Sequence, residues 1–378
     1  MRTALEIIFW LSAGLLLWSQ VGYPLLLVAL QTVLRRPGPP GPVRGDEVPM
    51  VTVVVAAYRE AEVIARRIDN LRSLDWPADR IELIVACDGS DDGTVEAARS
   101  AGADLVLDLP RGGKVRAQDA AVREARGEIV AFSDANAVWQ PDALRALVAA
   151  FADPDVALAC GRVRFERADG TNQEGLYWRF EMFIRGLEAK LSSVTAGNGA
   201  IYAVRRSDYV EVDPVMGHDL KLPFTLVKRG RRAIEAPAAA ATELMVPSLE
   251  GEFARKRRMM SHAWPIVVKG GLLSPRGYPP LYALMIFSHR AIRYASPKLH
   301  LLALISSALL APGSAFWTAV LGVQLLILFA ALIARWVPLR LLLVCRYYVL
   351  MTAAIAAGWW DWARHGTPAG WEPPEGTR

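Results

Sequence analysis

The chain has 378 residues, 53% of them hydrophobic, and a formal net charge of +5. That length suits roughly two units of ordinary domain size. Its basic residues gather beside apolar runs, which directs them toward lipid and away from nucleic acid. Its three cysteines, Cys87, Cys160 and Cys345, lack metal-ligand spacing and read as buried thiols in a reducing compartment.

From Ile7 to Leu34 there is no charged side chain. About 20 apolar residues cross a bilayer as a helix, whereas a cleaved leader has an apolar core of roughly 7–15. The run ends in Arg35-Arg36-Pro37, so residues 1–36 read as an anchor, followed by a Pro- and Gly-rich linker at 37–48. Strand and helix signals then alternate. Val51–Ala57 is a continuous apolar run, as in a strand buried on both faces. Helical periodicity covers Glu60–Leu74, and Ile81–Cys87 is the next strand. Asp91-Asp92-Gly93-Thr94 opens a helix, Leu105–Leu107 is a short strand, Lys114–Arg126 a helix, and Glu128–Ser133 a strand. This alternation predicts an α/β fold with a mostly parallel sheet. Beyond it, Val156–Phe165 reads as a strand, Asn172–Leu191 as a long amphipathic helix and Ile201–Val204 as a strand; the domain is bounded at 49–247.

Residues 248–296 are basic and amphipathic, with Arg255-Lys256-Arg257-Arg258 and Trp264, as in helices lying on a membrane surface. Residues 297–362 read as three further spans, broken at Pro312-Gly313, with a tail at 363–378. In this arrangement of four spans, Arg35, Arg36, Arg44, Arg290, Arg293, Lys298, Arg335 and Arg340 fall on one side. Positive residues mark the cytoplasmic side, so the globular part is expected there, on a multi-pass protein of the cell (inner) membrane.

Three aspartates stand out. Asp88 and Asp134 each end an apolar strand run, and strand carboxyl ends are where open α/β sheets bind ligands. Asp88 leads into Gly89-Ser90-Asp91-Asp92-Gly93, which also suits a plain turn. Asn136 follows Asp134 at i+2, and two oxygen donors on one side suit a hard cation. Gly112-Gly113-Lys114 precedes a helix and favours phosphate, although the complete NTPase loop pattern is missing. Asp219 is equally compatible with a helix cap and with a catalytic base.

The order of these elements, from about Pro49 to Trp264, resembles the family 2 glycosyltransferases of GT-A fold, in particular the membrane-anchored synthases of cellulose, hyaluronan and poly-N-acetylglucosamine. The resemblance implies a Rossmann-like catalytic domain flanked by membrane helices. Ala56-Ala57-Tyr58-Arg59-Glu60 matches the family's nucleotide-contacting Pro-x-Tyr-Asn-Glu element, which makes Ala57, Tyr58 and Glu60 donor-binding candidates. Asp88 matches the residue at the uracil or ribose, and Lys114 one near the diphosphate. Asp134-Ala135-Asn136 matches the Asp-x-Asp metal motif with its second Asp replaced, so Asp134 and Asn136 are the candidate ligands of Mg2+ or Mn2+. Asn198, in Ala196-Gly197-Asn198-Gly199, corresponds to the loop under the sugar. Gly217-His218-Asp219 matches Thr-Glu-Asp, whose last residue is the general base, and Arg258 is what remains of Gln-x-x-Arg-Trp. The implied activity is inverting transfer from a nucleotide sugar, expected to be UDP-linked, to a lipid-linked sugar or a growing polysaccharide, with membrane lipids and polysaccharide-export proteins as partners. A catalytically impaired nucleotide-sugar-binding protein in a polysaccharide assembly complex is the alternative, because two acidic motif positions are replaced.

Overall fold

A computed structural model describes residues 1–34, 48–166, 176–246, 248–337 and 339–370. Most of the linker at 37–48, the start of the helix expected from Asn172, and the tail beyond Gly370 lie outside these residues. The elements in chain order are α1 (Arg2–Leu17), α2 (Tyr23–Val33), β1 (Val51–Ala57), α3 (Ala61–Arg72), β2 (Ile81–Asp88), α4 (Thr94–Ser100), β3 (Leu105–Leu109), α5 (Lys114–Glu124), β4 (Ile129–Asp134), β5 (Val138–Trp139) and α6 (Ala143–Ala149). They continue with β6 (Val156–Glu166), α7 (Leu176–Leu191), β7 (Tyr202–Arg205), α8 (His218–Lys228), β8 (Arg232–Leu244), α9 (Leu249–Val268), α10 (Pro280–Met285), α11 (Ile292–Leu310), α12 (Ala315–Ile333) and α13 (Arg340–His365).

The chain divides into two compact units. One holds residues 29–247, 265–283 and 367–378, the other residues 1–28, 248–264 and 284–366. In the first, an 8-stranded sheet has the order β3-β2-β1-β4-β7-β6-β8-β5. Strands β3, β2, β1 and β4 run parallel. Every residue of β1 is buried, as its position between β2 and β4 and its unbroken Val/Thr/Ala run require. The sheet then becomes mixed: β7 is antiparallel to β4 and β6, β8 is parallel to β6, and β5 is antiparallel to β8. Strand β8 is absent from the sequence reading, since its alanine run lacks β-branched residues and Pro237 interrupts it. The ladder with β6 breaks register between Cys160 and Arg162, opposite Pro237, the kind of irregularity where proline is tolerated. Gly161 permits the close approach of β8, because a Cβ there would sit 2.4 Å from the Ala239 carbonyl oxygen.

In the second unit, α1, α11 and α12 meet at Phe9, Ala303, Leu310 and Trp317. Three stretches are long and apolar enough to cross a membrane among the described residues: 2–33, 315–333 and 340–365. Four were expected. The difference is α11, where Arg293, Lys298 and His300 interrupt the apolar run. The basic run on α9 does not simply face lipid. Arg257 forms a two-pronged ion pair with Asp361 of α13, at 2.5 and 2.6 Å, and Arg255 pairs with Glu252. Gly358 lets α13 close on α9, since a Cβ there would lie 2.6 Å from the Arg257 carbonyl oxygen.

Candidate active site

Because β1 lies between β2 and β4 in parallel register, Tyr58, Asp88 and Asp134 emerge at one edge of the sheet. Asp88 is 2% exposed and points into the following loop. Its carboxylate accepts from the amides of Gly112 (2.6 Å) and Gly113 (2.9 Å) and from Arg111 Nη1 (2.7 Å). The Arg111 guanidinium lies 3.3 Å from the Tyr58 ring centroid, a cation–π stack at the expected nucleotide end. Sequence reasoning passed over Arg111, although its place just before Gly112-Gly113-Lys114 was a signal. Ala57 is the last buried residue of β1. The buried Glu60 leads into α3, and its amide donates to Thr94 Oγ1 at 2.9 Å. Arg59 adopts a left-handed φ of 53° and pairs with exposed Asp91.

Lys114 opens α5, and its ammonium bonds to Asp134. Burial works against that charge, but Asp134, with Asp219 and Glu243 also acting on it, more than offsets the penalty and raises the lysine pKa. Glu243, on β8, is a second acid that the sequence did not flag. Asn136 departs from expectation: β4 ends at Asp134, so Asn136 sits in the turn after it and the same-side argument for alternate strand residues does not apply. No cluster of three His, Cys, Asp or Glu suited to a metal occurs among the described residues. Beside Asp134 the chain narrows to Gly199, where a Cβ would lie 3.3 Å from Lys114 Nζ and 3.6 Å from Asp134 Oδ2. The Asp134 carboxylate, with the space that Gly199 leaves beside its Oδ2, is the kind of oxygen donor a hard cation takes.

Asp219 lies in the first turn of α8, and its carbonyl oxygen accepts from the Gly197 amide at 2.7 Å. The segment 197–199 therefore touches Asp219 at one end and the Lys114–Asp134 pair at the other. Asn198 is turned inward instead, donating to the Gly161 carbonyl (2.6 Å) and accepting from the Ile201 amide (2.9 Å), so it shapes this loop. Gly217 is required by the carboxylate itself, since a Cβ there would lie 2.7 Å from Asp219 Oδ1. The backbone at Gly217 is ordinary, at φ −57°, so Gly217→Ala leaves the fold within about 1 kcal/mol of wild type. The same change swings Asp219 aside and lowers turnover at least about tenfold, a loss that paired thermal-unfolding and initial-rate measurements will reveal.

Behind Asp219 sits a buried network. The His218 ring has the Tyr202 hydroxyl 2.8 Å from Nδ1 and the Tyr209 hydroxyl 3.2 Å from Nε2, and Tyr209 donates to Asp119 at 2.5 Å. Burial, with Lys114 adding to it, lowers the His218 pKa to about 3, so the ring is neutral near pH 7. Burial raises Asp119 to about 6, against an opposing bond from Tyr209. Its ionised form is thus held less well in the folded protein than in the unfolded chain. The contribution of Asp119 is complete below about pH 4 and is lost as pH rises through about 6. Asp119→Asn escapes that loss. Its stability relative to wild type should rise by on the order of 2–3 kcal/mol between pH 4 and pH 8, read by thermal unfolding at both; His218 is common to both proteins and cancels.

Two further placements bear on the site. Arg258 lies on α9, in the other unit. The start of the tail, at Ala369, lies against Gly113, where a Cβ would be 2.1 Å from the Ala369 carbonyl oxygen.

Residues 52–212 match Glycosyl transferase family 2. The chain is 32% identical to the beta-monoglucosyldiacylglycerol synthase of Synechocystis sp. over 39% of this chain and 33% of that protein. It is 23% identical to the poly-beta-1,6-N-acetyl-D-glucosamine synthase of Staphylococcus aureus over 64% of this chain and 61% of that protein. Both matches span less than two thirds of the relative's own length. Among solved structures, the mannosyltransferase PcManGT from Pyrobaculum calidifontis, in complex with GDP-Man and Mn2+, superposes with a TM-score of 0.71 at 25% identity, covering 96% of this chain and 100% of that one. With its parallel strand ends, its aspartates at those ends and this likeness along nearly its whole length, the chain carries a glycosyl transferase family 2 domain, residues 52–212, in a GT-A fold.

Proposed function

We propose that the protein is an inverting glycosyltransferase that moves a sugar from a UDP-linked donor to a lipid-linked sugar or growing polysaccharide at the cytoplasmic membrane face. The observation that carries this reading is the segment 197–199, with the Lys114–Asp134 pair at one end and Asp219 at the other. A donor diphosphate and an acceptor hydroxyl need groups of those two kinds on either side of the transferred sugar. Tyr58 and Arg111 hold the base, with Asp88 fixing Arg111. Lys114 and the N-terminus of α5 take the diphosphate. Asp134, with Asn136, would hold Mg2+ or Mn2+, which supplies charge neutralisation at the leaving diphosphate. Asp219 accepts the proton of the acceptor hydroxyl as its oxygen bonds to the anomeric carbon. The bond from that carbon to the diphosphate oxygen breaks, and the nucleotide leaves with the electron pair. Attack opposite the leaving group inverts the anomeric centre.

The membrane placement draws on the three candidate spans and on Arg35, Arg36, Arg44, Arg290, Arg293 and Lys298, which all lie between the first span and α12 and outnumber Arg335 and Arg340 on the opposite side. Two crossings after the catalytic unit, through α12 and α13, return the chain to the side from which it entered α12. The decisive experiment incubates the full chain in lipid with radiolabelled UDP-glucose, UDP-N-acetylglucosamine and GDP-mannose, the last being the sugar nucleotide in the PcManGT complex. Transfer from a UDP sugar supports the reading, and transfer from GDP-mannose alone replaces the donor. Binding with no transfer from any of the three sinks the enzymatic reading in favour of a nucleotide-sugar-binding role.

A further inference from the structure

We propose that His218 is a positioning residue for Asp219, held by a one-way hydrogen-bond chain that runs from Gln118 through Tyr202, His218 and Tyr209 to Asp119. The inference rests on Asp219 being the base of the proposed transfer.

The direction of the chain follows from proton bookkeeping. Gln118 Nε2 donates to the Tyr202 hydroxyl oxygen at 3.4 Å. Tyr202 then gives its own proton to His218 Nδ1, 2.8 Å away. A neutral imidazole that accepts at Nδ1 carries its proton on Nε2, where it donates to the Tyr209 oxygen at 3.2 Å. Tyr209 passes its proton toward Asp119 Oδ1 at 2.5 Å. Each hydroxyl donates once and accepts once, and both ring nitrogens are used. Gln118, Asp119, Tyr202 and His218 are buried and Tyr209 is partly buried, and a network of this kind specifies one arrangement when every member is satisfied. The rings are packed as well: Phe132 stacks on Tyr202 with centroids 4.6 Å apart and meets His218 edge-on at 5.7 Å.

The position of His218 gives the network its consequence. It is the first residue of α8, and Asp219 is the second. Gly217 on the other side makes no side-chain contact that could fix the turn. The Asp219 carbonyl is tied to Gly197 at 2.7 Å, so a rotation of this first turn would move both the carboxylate and the loop below the transferred sugar. Anchoring the imidazole from two sides, by residues of α5 and β7 and by Tyr209, removes that freedom. An acid at position 218 would have met Asp119 with like charge in the same buried space, whereas neutral histidine closes the chain.

The test measures release of UDP or GDP from UDP-N-acetylglucosamine, UDP-glucose and GDP-mannose by the full chain, using the donor that gives turnover. Tyr202→Phe and Tyr209→Phe keep the rings and remove one link each, and His218→Gln serves as the direct change. The expected result is a fall in kcat of about tenfold for Tyr202→Phe with donor KM within about twofold, since misplacing a catalytic group acts on the reacting geometry and not on donor binding. In an Asp219→Asn background the same changes should have no further effect, because they act through a carboxylate already gone. Equal losses in both backgrounds, or an unchanged kcat, overturn the positioning role. If His218→Gln does not fold, the two Tyr→Phe variants decide the matter. Full turnover in Asp219→Asn alone, or no turnover by wild type with any donor, overturns the proposed function and the inference with it; neither resembles the result that defeats the inference alone.

Discussion

Asp219→Asn is expected to lower turnover by about 10²–10⁴-fold, the range a positioned general base supplies, while donor KM stays within about twofold. Asparagine keeps the size of the side chain and the backbone bond from the Gly197 amide, so the first turn of α8 and the loop at 197–199 are preserved. What disappears is the group that takes the acceptor proton. A kcat loss with unchanged donor binding is the signature of an interaction made in the transition state and not in the ground state. The measurement is initial rate against donor concentration, with nucleotide affinity determined separately by equilibrium binding. An equal weakening of donor affinity would instead place Asp219 on the nucleotide side.

Asp88→Ala should produce the largest loss of stability of any single change at the site, about 2–4 kcal/mol. The Asp88 carboxylate is buried and receives two backbone amides and a guanidinium. Truncation leaves the Gly113 amide buried without an acceptor and frees Arg111 from its place over Tyr58. Nucleotide affinity should fall at least about tenfold as that stack is lost, given the magnitude of cation–π contacts in partly desolvated sites. Asp91→Ala is the control. It removes an exposed ion pair with Arg59 on the same loop and should cost at most about 1 kcal/mol. Thermal unfolding of the two variants beside wild type, with nucleotide titration of each, checks both statements. Equal midpoints for Asp88→Ala and Asp91→Ala would refute the anchoring role.

Particular residues show how far the sequence could be read. The apolar runs ending at Ala57, Asp88 and Asp134 were legible because a strand buried on both faces leaves an uninterrupted apolar signature. Lys114 was legible as a lysine beside glycines at a helix start. The partner it takes, Asp134, is 20 residues away and was not. Asn198, expected in the loop under the sugar, shapes that loop through bonds to Gly161 and Ile201 that no local pattern announces. Glu243 and the tyrosines around His218 carry no local pattern, since each matters only through a partner elsewhere in the chain. Strand β8 was missed because alanine and proline suit a strand poorly by themselves, and its pairing with β6 is what makes them one.

By itself, then, the sequence determined the alternating α/β order, the apolar stretches able to enter a membrane, and the three aspartates. Those are properties of neighbouring residues, set by hydrophobic periodicity and by the residues that start and stop elements. The tertiary structure decided what each aspartate does with its oxygens. Asp88 spends its carboxylate on a loop 23–25 residues away, Asp134 meets Lys114, and Asp219 keeps its carboxylate against the bare α-carbon of Gly217. Hydrogen-bond partners are chosen by distance in space, and in a sheet whose order is not its chain order, sequence separation says little about that distance.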